Sequence, residues 1–417
     1  MKKIVGVVGV IVVILGVIFG YKIVYKASPR DFITKDTRLI YANEGINNKD
    51  FLPVLSLIDD PEMKEKLNSN IKNLKYVSKV YLFSDKEFYE MSEKSFTGVI
   101  DTGYWYFLML KEIDKYFDLV NGTYILKKDI KDKYFPNLGT DVFMKNYKGL
   151  FIVSLGEKNL KDFIAKDGKY LYNKEIENTL DTKRDNLLGT FIYNNSGTGF
   201  YGINLISNSA TIDNDSILSE GEIIIDEQDS GIYKNSKEDR ELVKYVEKND
   251  IYISVDDFSR LDRIIFNPLI LGANVDSQAI FAIWKNLLGI DIEEILKEID
   301  GEVIFRFYDM SFMIKVKSDA PEIRRVLTLL KDENSAFYVE KRIEEIEKNI
   351  LVIGDGNFKE NSKPYQINRE VFLFGEIDSP EIMGVEGMES SIVGENEKII
   401  MKNKISVELF KELINEY

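Results

Sequence analysis

Residues Ile4 to Tyr21, IVGVVGVIVVILGVIFGY, are apolar throughout and follow Lys2 and Lys3. No other stretch limits the chain's fold as strongly. A helix rises 1.5 Å per residue, so about 20 such residues cross a hydrocarbon core of roughly 30 Å. Continuation to Tyr25 needs only that Lys22 extend its ammonium towards the headgroups. Tyr21 and Tyr25 then fall where interfacial aromatics are favoured. Val and Ile are mediocre helix formers in water. In lipid, however, a lone segment must satisfy its backbone internally, and only a helix does so.

The sequence therefore predicts a short tail at 1–3, a transmembrane helix at 4–25 in contact with the lipid bilayer, and a linker at 26–36. A cleaved signal peptide would have an apolar region of roughly 7–15 residues and a small-x-small site. This run is longer, and Tyr25 stands two places before Ala27. Gly16-x-x-x-Gly20 fits the pattern for close helix approach, which makes Gly16 and Gly20 candidates for a weak homodimer; the simpler reading is that glycine is common in membrane helices.

Lys22, Lys26, Arg30, Lys35 and Arg38 follow the run, and a plain count of charge would keep them in the cytoplasm. Long domains translocate largely regardless of charge, and two lysines before one apolar segment resemble the start of an export signal. The expectation is a single-pass protein of the cell membrane, N-terminus inside and C-terminal domain extracytoplasmic. A domain facing the cytoplasm is the alternative that the flanking lysines allow.

The remaining residues include 25 Phe and 23 Tyr, enough aromatic material to exclude a disordered chain. The net charge of −15 argues against nucleic acid as a partner, because that binding rests on Lys and Arg meeting phosphate. There is no Cys and no His. That removes disulfides, thiolate nucleophiles, the commonest transition-metal ligands and the ordinary Ser–His pair. Carboxylate chemistry, Ser–Lys pairs and oxygen-ligated Ca²⁺ or Mg²⁺ remain available.

Apolar periodicity predicts α+β architecture: the transmembrane helix, then two related units of antiparallel sheet with helices on one face. Strands are expected at Arg38–Ala42, Val77–Phe83, Phe96–Asp101 and Thr123–Leu126. A helix is expected at Tyr104–Leu119, a hairpin through Tyr147-Lys148-Gly149 and a short helix at Asn159–Ala165. A further helix around Asp50–Leu67 and an amphipathic helix at Ser406–Tyr417 complete the reading. The same order returns at Asp250–Ser254, Glu302–Phe307, Phe312–Lys317, the helix Pro321–Lys331, Ala336–Val339, Asn349–Ile353 and Val371–Phe374. The shared order, rather than any single match, points to duplication, with units at 37–228 and 240–417 and a junction at Asp226–Asp239.

Candidate chemistry gives way to simpler readings. Gly197-x-Gly199-x-x-Gly202 has dinucleotide-fingerprint spacing, but Ile203–Ile206 after it reads as strand where a helix is required. Asp213-Asn-Asp215 and Asp355-Gly-Asn357 lack the remaining ligands of a calcium loop and read as turns. Glu293, Glu294, Glu298 and Asp300 read as a solvated helix face. Arg342–Lys348, RIEEIEK, reads as charged surface. Trp105 and Trp284 read as core, and Ser154 and Ser311 lack the spacing of a Ser–Lys enzyme. No catalytic, cofactor-binding or metal-ligating residue is assigned.

With its apolar N-terminal run, and with Gly289-Ile-Asp-Ile-Glu-Glu-Ile295, Asp300-Gly-Glu-Val303 and Phe312-Met-Ile-Lys-Val316, the chain resembles uncharacterised bacterial envelope proteins. Those carry a short N-terminal anchor and duplicated α+β ectodomains. The resemblance implies localisation and architecture only. The expected role is a non-enzymatic interaction or structural module with an envelope protein as partner. The alternative is a membrane-anchored hydrolase that uses carboxylates and a divalent metal. A cleft lined by acids would favour the hydrolase; an exposed apolar patch or unpaired sheet edge would favour the module.

Overall fold

The structure, a computed structural model, describes residues 26–44, 76–87, 90–135, 138–182, 187–195, 203–213, 216–225, 240–260, 277–306, 308–335, 338–368, 370–378, 388–395 and 398–407, with isolated positions in 46–68. It is a mixed α+β chain built on antiparallel strands. The described residues fall into two compact units that divide after Ile192. Among the described residues no helix is long and apolar enough to cross a membrane. The transmembrane helix expected at 4–25, Gly16 and Gly20, most of the Asp50–Leu67 helix, the junction at Asp226–Asp239 and nearly all of the C-terminal helix lie outside the described residues.

The first unit contains β1 (Leu39–Glu44), β2 (Lys79–Ser84), β3 (Thr97–Asp101), α1 (Tyr106–Tyr116), β4 (Phe117–Val120), β5 (Thr123–Leu126), α2 (Lys128–Tyr134), β6 (Phe143–Tyr147), β7 (Leu150–Ser154), α3 (Glu157–Ile164), α4 (Lys174–Asp181) and β8 (Leu187–Asn194). Tyr193 and Asn194 of β8 already belong to the second unit. The sheet order is β8–β1–β2–β3–β7–β6–β5–β4, and every pairing with a defined register is antiparallel. Lys148 and Gly149 both take positive φ at the expected β6–β7 turn. A two-residue loop with both residues left-handed matches the twist of its flanking strands.

This sheet is covered on both faces, where the sequence suggested helices on one. Ile100, Phe151 and Val153 pack against Tyr106 and Ile113 of α1. On the other face Phe83 meets Phe163 of α3 at 5.3 Å between ring centroids, and Phe163 stacks on Phe32 at 4.9 Å. Alternate side chains of a strand point to opposite faces, so double cover explains why β7 is apolar without a break. Each such residue, fully buried, contributes about 1.5–3 kcal/mol.

The segment 26–36 both connects and packs. Ser28 and Asp31 form a capping box on a short 3₁₀ turn, Pro29–Phe32, and Phe32 and Ile33 are buried. The helix expected over Tyr104–Leu119 is shorter: it ends at Tyr116, and Phe117–Val120 turn back through Asn121-Gly122 to pair with β5. Both turn residues again take positive φ.

The second unit contains β9 (Ile203–Asp213), β10 (Ser216–Ile225), β11 (Asp250–Ser254), α5 (Ser277–Ile283), α6 (Ile292–Glu298), β12 (Ile299–Arg306), β13 (Ser311–Val316), α7 (Pro321–Lys331), β14 (Ile343–Glu347), β15 (Ile350–Ile353), β16 (Val371–Ile377), β17 (Met388–Glu395) and β18 (Lys398–Ser406). The pairing order is β14–β15–β13–β12–β11–β16–β17–β18–β10–β9. Val303, Ile253, Ile314 and Leu351 enter one core with Ile295 of α6 and Ile323 of α7. Their neighbours Ile304, Tyr252, Met313, Ile350 and Val352 enter another with Leu242, Tyr245 and Phe358. RIEEIEK, read as charged surface, forms strand β14: Ile343 and Glu344 pair with Ile353 and Val352, and Arg342, Glu345, Glu347 and Lys348 are exposed. Of Ala336–Val339, Tyr338 and Val339 are not strand; Val339 N–H donates to the Leu330 carbonyl at 3.0 Å and closes the end of α7.

Asp250 and Arg306 stand opposite each other on β11 and β12, with side chains 0% and 1% exposed. The guanidinium grips the carboxylate at two points, 2.7 and 2.9 Å, and lies 4.3 Å over the Phe358 ring. Removing one member of such a pair leaves a buried charge alone. Arg306→Met should lower the stability of the second unit by about 3–5 kcal/mol, with most of the loss recovered in Arg306→Met/Asp250→Asn. The chain has two tryptophans, one in each unit, so denaturant titration followed by Trp284 fluorescence in a Trp105→Phe background isolates this transition.

Candidate functional site

The acids singled out in the sequence do not form a site together. Glu293 and Glu294 lie on the exposed side of α6 and pair with Lys297 at 2.7 and 3.0 Å. Glu298, one turn on, is buried, and this corrects its reading as solvated. Its two carboxylate oxygens accept the N–H groups of Glu322 and Ile323 at 2.9 and 2.7 Å. The first N–H groups of a helix have no partner of their own, so Glu298 caps α7 from outside.

Other buried acids are likewise engaged. Glu302 accepts from the N–H groups of Glu241 (2.8 Å) and Leu242 (3.1 Å) and from the Tyr252 hydroxyl (2.8 Å). Burial pushes its carboxyl above the usual range, against the pull of those donors. In the first unit Arg30 holds Glu44 at 2.8 and 2.6 Å, Tyr81 donates to the same carboxylate, and Lys79 lies 3.2 Å away. Burial would raise Glu44, but these cationic and hydroxyl donors win and bring it down to about 2. Asp101 accepts from Gly103 N–H at 2.7 Å and pairs with Lys26 at 2.7 Å. Among the described residues no cluster of three acids is placed to hold a metal ion.

The remaining candidates are structural or lie elsewhere. Gly197, Gly199 and Gly202 lie outside the described residues, between β8 and β9. Asp213 closes the β9–β10 hairpin opposite Ser216. Asp355 pairs with Lys341, and the Asn357 carbonyl accepts from Arg306 at 3.4 Å. Ser311 is buried and accepts the Gly356 N–H at 2.8 Å; Ser154 is buried beside Thr97. Trp105 and Trp284, expected in the core, are 43% and 40% exposed. Trp105 stands just before α1 and meets Tyr76 edge-on, and Trp284 opens a π-helical turn in which no residue is buried.

What the sequence reading missed is the end of the first sheet. Among the described pairings β4 bonds only to β5; the Phe117 N–H is taken by the Ile113 carbonyl at the end of α1, and the outer backbone groups farther along, at Leu119, face outwards. Leu119 and Val120 on this strand are 60% and 46% exposed, and Tyr116 just before it is also exposed. Natural edge strands are usually blunted by charge. Of the two end strands of the second unit, β14 follows that rule with Glu344, Glu345 and Glu347, while β9 carries Asp213 alone. On β4 the only charge is Asp118. The signal was present as Asn121-Gly122, a strong short-range hairpin marker.

No family model matches the chain, and no curated protein matches it. Among solved structures, TP0453 in its crystal form IV is similar at a TM-score of 0.32 and 10% identity, over 49% of this chain and 82% of that one. Its crystal form III gives 0.31 and 10%, over 48% and 81%. A likeness this slight transfers no property to this chain.

If Glu298 is a cap and not an acid catalyst, its loss is felt as stability. Glu298→Ala should cost about 0.5–2 kcal/mol in denaturant titration. Glu293→Ala, on the exposed side of the same helix, should stay within about 0.5 kcal/mol of the parent.

Proposed function

We propose that the chain is a single-pass envelope protein, held in the cell membrane by residues 4–25 with its N-terminus inside, and that it acts as a non-enzymatic interaction module. The observation that carries this reading is the open, apolar edge β4. An extended segment of an envelope protein partner would add to it as a further strand, its backbone meeting the outer N–H and C=O groups and its side chains meeting Leu119 and Val120. Tethering would raise the effective concentration of that edge for membrane-proximal partners.

The two units are related by duplication in this reading. The order β6–β7–β3–β2–β1–β8 in the first corresponds to β14–β15–β13–β12–β11–β16 in the second. A helix follows the third strand in each, α1 and α7. Among the described residues the β4–β5 hairpin with α2 has no counterpart in the second unit, and it is this hairpin that carries the open edge. The hydrolase alternative needs two acids facing each other across a cleft. The buried acids described above are instead each committed to a cation or to N–H donors, which favours the module.

A photo-crosslinking residue placed at Leu119 in cells tests the proposal. The expected result is a discrete adduct with one envelope protein, lost when Val120→Lys is added and absent when the probe sits at the exposed Glu175 of α4. Equal, diffuse labelling from both positions would contradict it.

A further inference from the structure

The first unit also has a pocket of about 460 Å³ between the end of β2, the 3₁₀ turn Glu93–Ser95, the start of β3 and helix α3. Its charge runs against that of the whole chain. Lys86, Lys94, Lys158 and Lys166 line it, against Asp85 and Asp162, while the chain as a whole carries −15. Asp85 is taken up by Lys166, which also lies 5.2 Å over the Phe163 ring. Among the described residues Lys86, Lys94 and Lys158 have no ion-pair partner, and they come from three different segments.

The walls are fixed. Asn159 Nδ2 of α3 donates to the Lys94 carbonyl at 2.5 Å and ties the helix to the turn that carries Lys94. The Ser92 and Ser95 hydroxyls lie 3.2 Å apart, and Ser95 Oγ accepts the Ser92 N–H at 3.0 Å. A hydroxyl carries one donor and two acceptor positions, so this pair retains capacity for a ligand. Phe83 and Phe163, in ring contact with each other, form the floor.

We propose that this pocket binds a phosphoryl group on a small hydroxylated body. A carboxylate offers two oxygens to cations. A phosphoryl group offers three, which suits three ammoniums arriving from separate segments, with Ser92 and Ser95 beside them for hydroxyls of the ligand. A phosphate monoester in solution presents all three oxygens; a phospholipid headgroup, a diester, presents two together with the hydroxyls of its alcohol. The assignment is independent of the β4 edge, since it rests on a different part of the unit.

The test uses the full chain, purified in neutral detergent or placed in nanodiscs. Calorimetric titration with glycerol 3-phosphate should give saturable binding that weakens with salt and falls about tenfold or more in Lys94→Gln/Lys158→Gln. Lys111→Gln/Lys174→Gln, equally exposed on α1 and α4, should leave it unchanged. In nanodiscs, acetylation rates of Lys86, Lys94 and Lys158 are compared with and without phosphatidylglycerol in phosphatidylcholine. Slower acetylation only with phosphatidylglycerol, and no heat with glycerol 3-phosphate, would assign the headgroup as the source. The absence of both effects, or heats equal in the two double variants, would overturn the proposal. All four lysines substituted are exposed, and matching thermal unfolding of the variants shows that the fold is retained.

Discussion

The structure depends on antiparallel pairing in sheets whose central strands are buried on both faces, whereas β18 keeps one face exposed. Each central strand then has two jobs at once. Val303 and Ile304 are neighbours in sequence, yet they sit in separate cores on opposite sides of one strand. A slip of one residue in register would exchange those cores, so the register is strongly specified. Everything that covers the sheets follows from this: α6 and α7 on one face of the second unit and Leu242, Tyr245 and Phe358 on the other, with α1 and the Phe32–Phe163 stack doing the same in the first.

Double burial also explains where the polar groups go. A charge carried into a covered sheet must meet its partner there, and Asp250 with Arg306 does so across one rung of the ladder. Glu298, at the end of α6, and Glu302, on β12, take up backbone N–H groups that would otherwise be orphaned. These acids organise helix ends and loop entries. That role accounts for their burial without recourse to catalysis.

Much of the fold was legible because apolar runs of four to six residues recur with clear turn chemistry between them. The Lys148-Gly149 turn and strands β1–β3, β7, β11–β13 and β15 stand close to where periodicity places them. Four features were not legible, each for a physical reason. The helical spacing of Phe107 to Phe117 runs on past Tyr116, so it concealed the Asn121-Gly122 hairpin and with it the open edge. Glu298 shares a helix face pattern with Glu293 and Glu294, and only the arrival of α7 distinguishes it. Arg342–Lys348 has the composition of a surface helix, and its strand character comes from its pairing with β15. The pocket beside α3 gathers lysines from three separated segments, a convergence that no local pattern reports.

The open edge, the tether and the partner all presuppose that the two units lie outside the cytoplasmic membrane. Protease accessibility in intact spheroplasts, with a cytoplasmic protein as control, tests that most directly. The account predicts digestion of the chain beyond residue 26 while the control stays whole. Protection of the chain until lysis would contradict it, and would turn the edge β4 towards the cytoplasm.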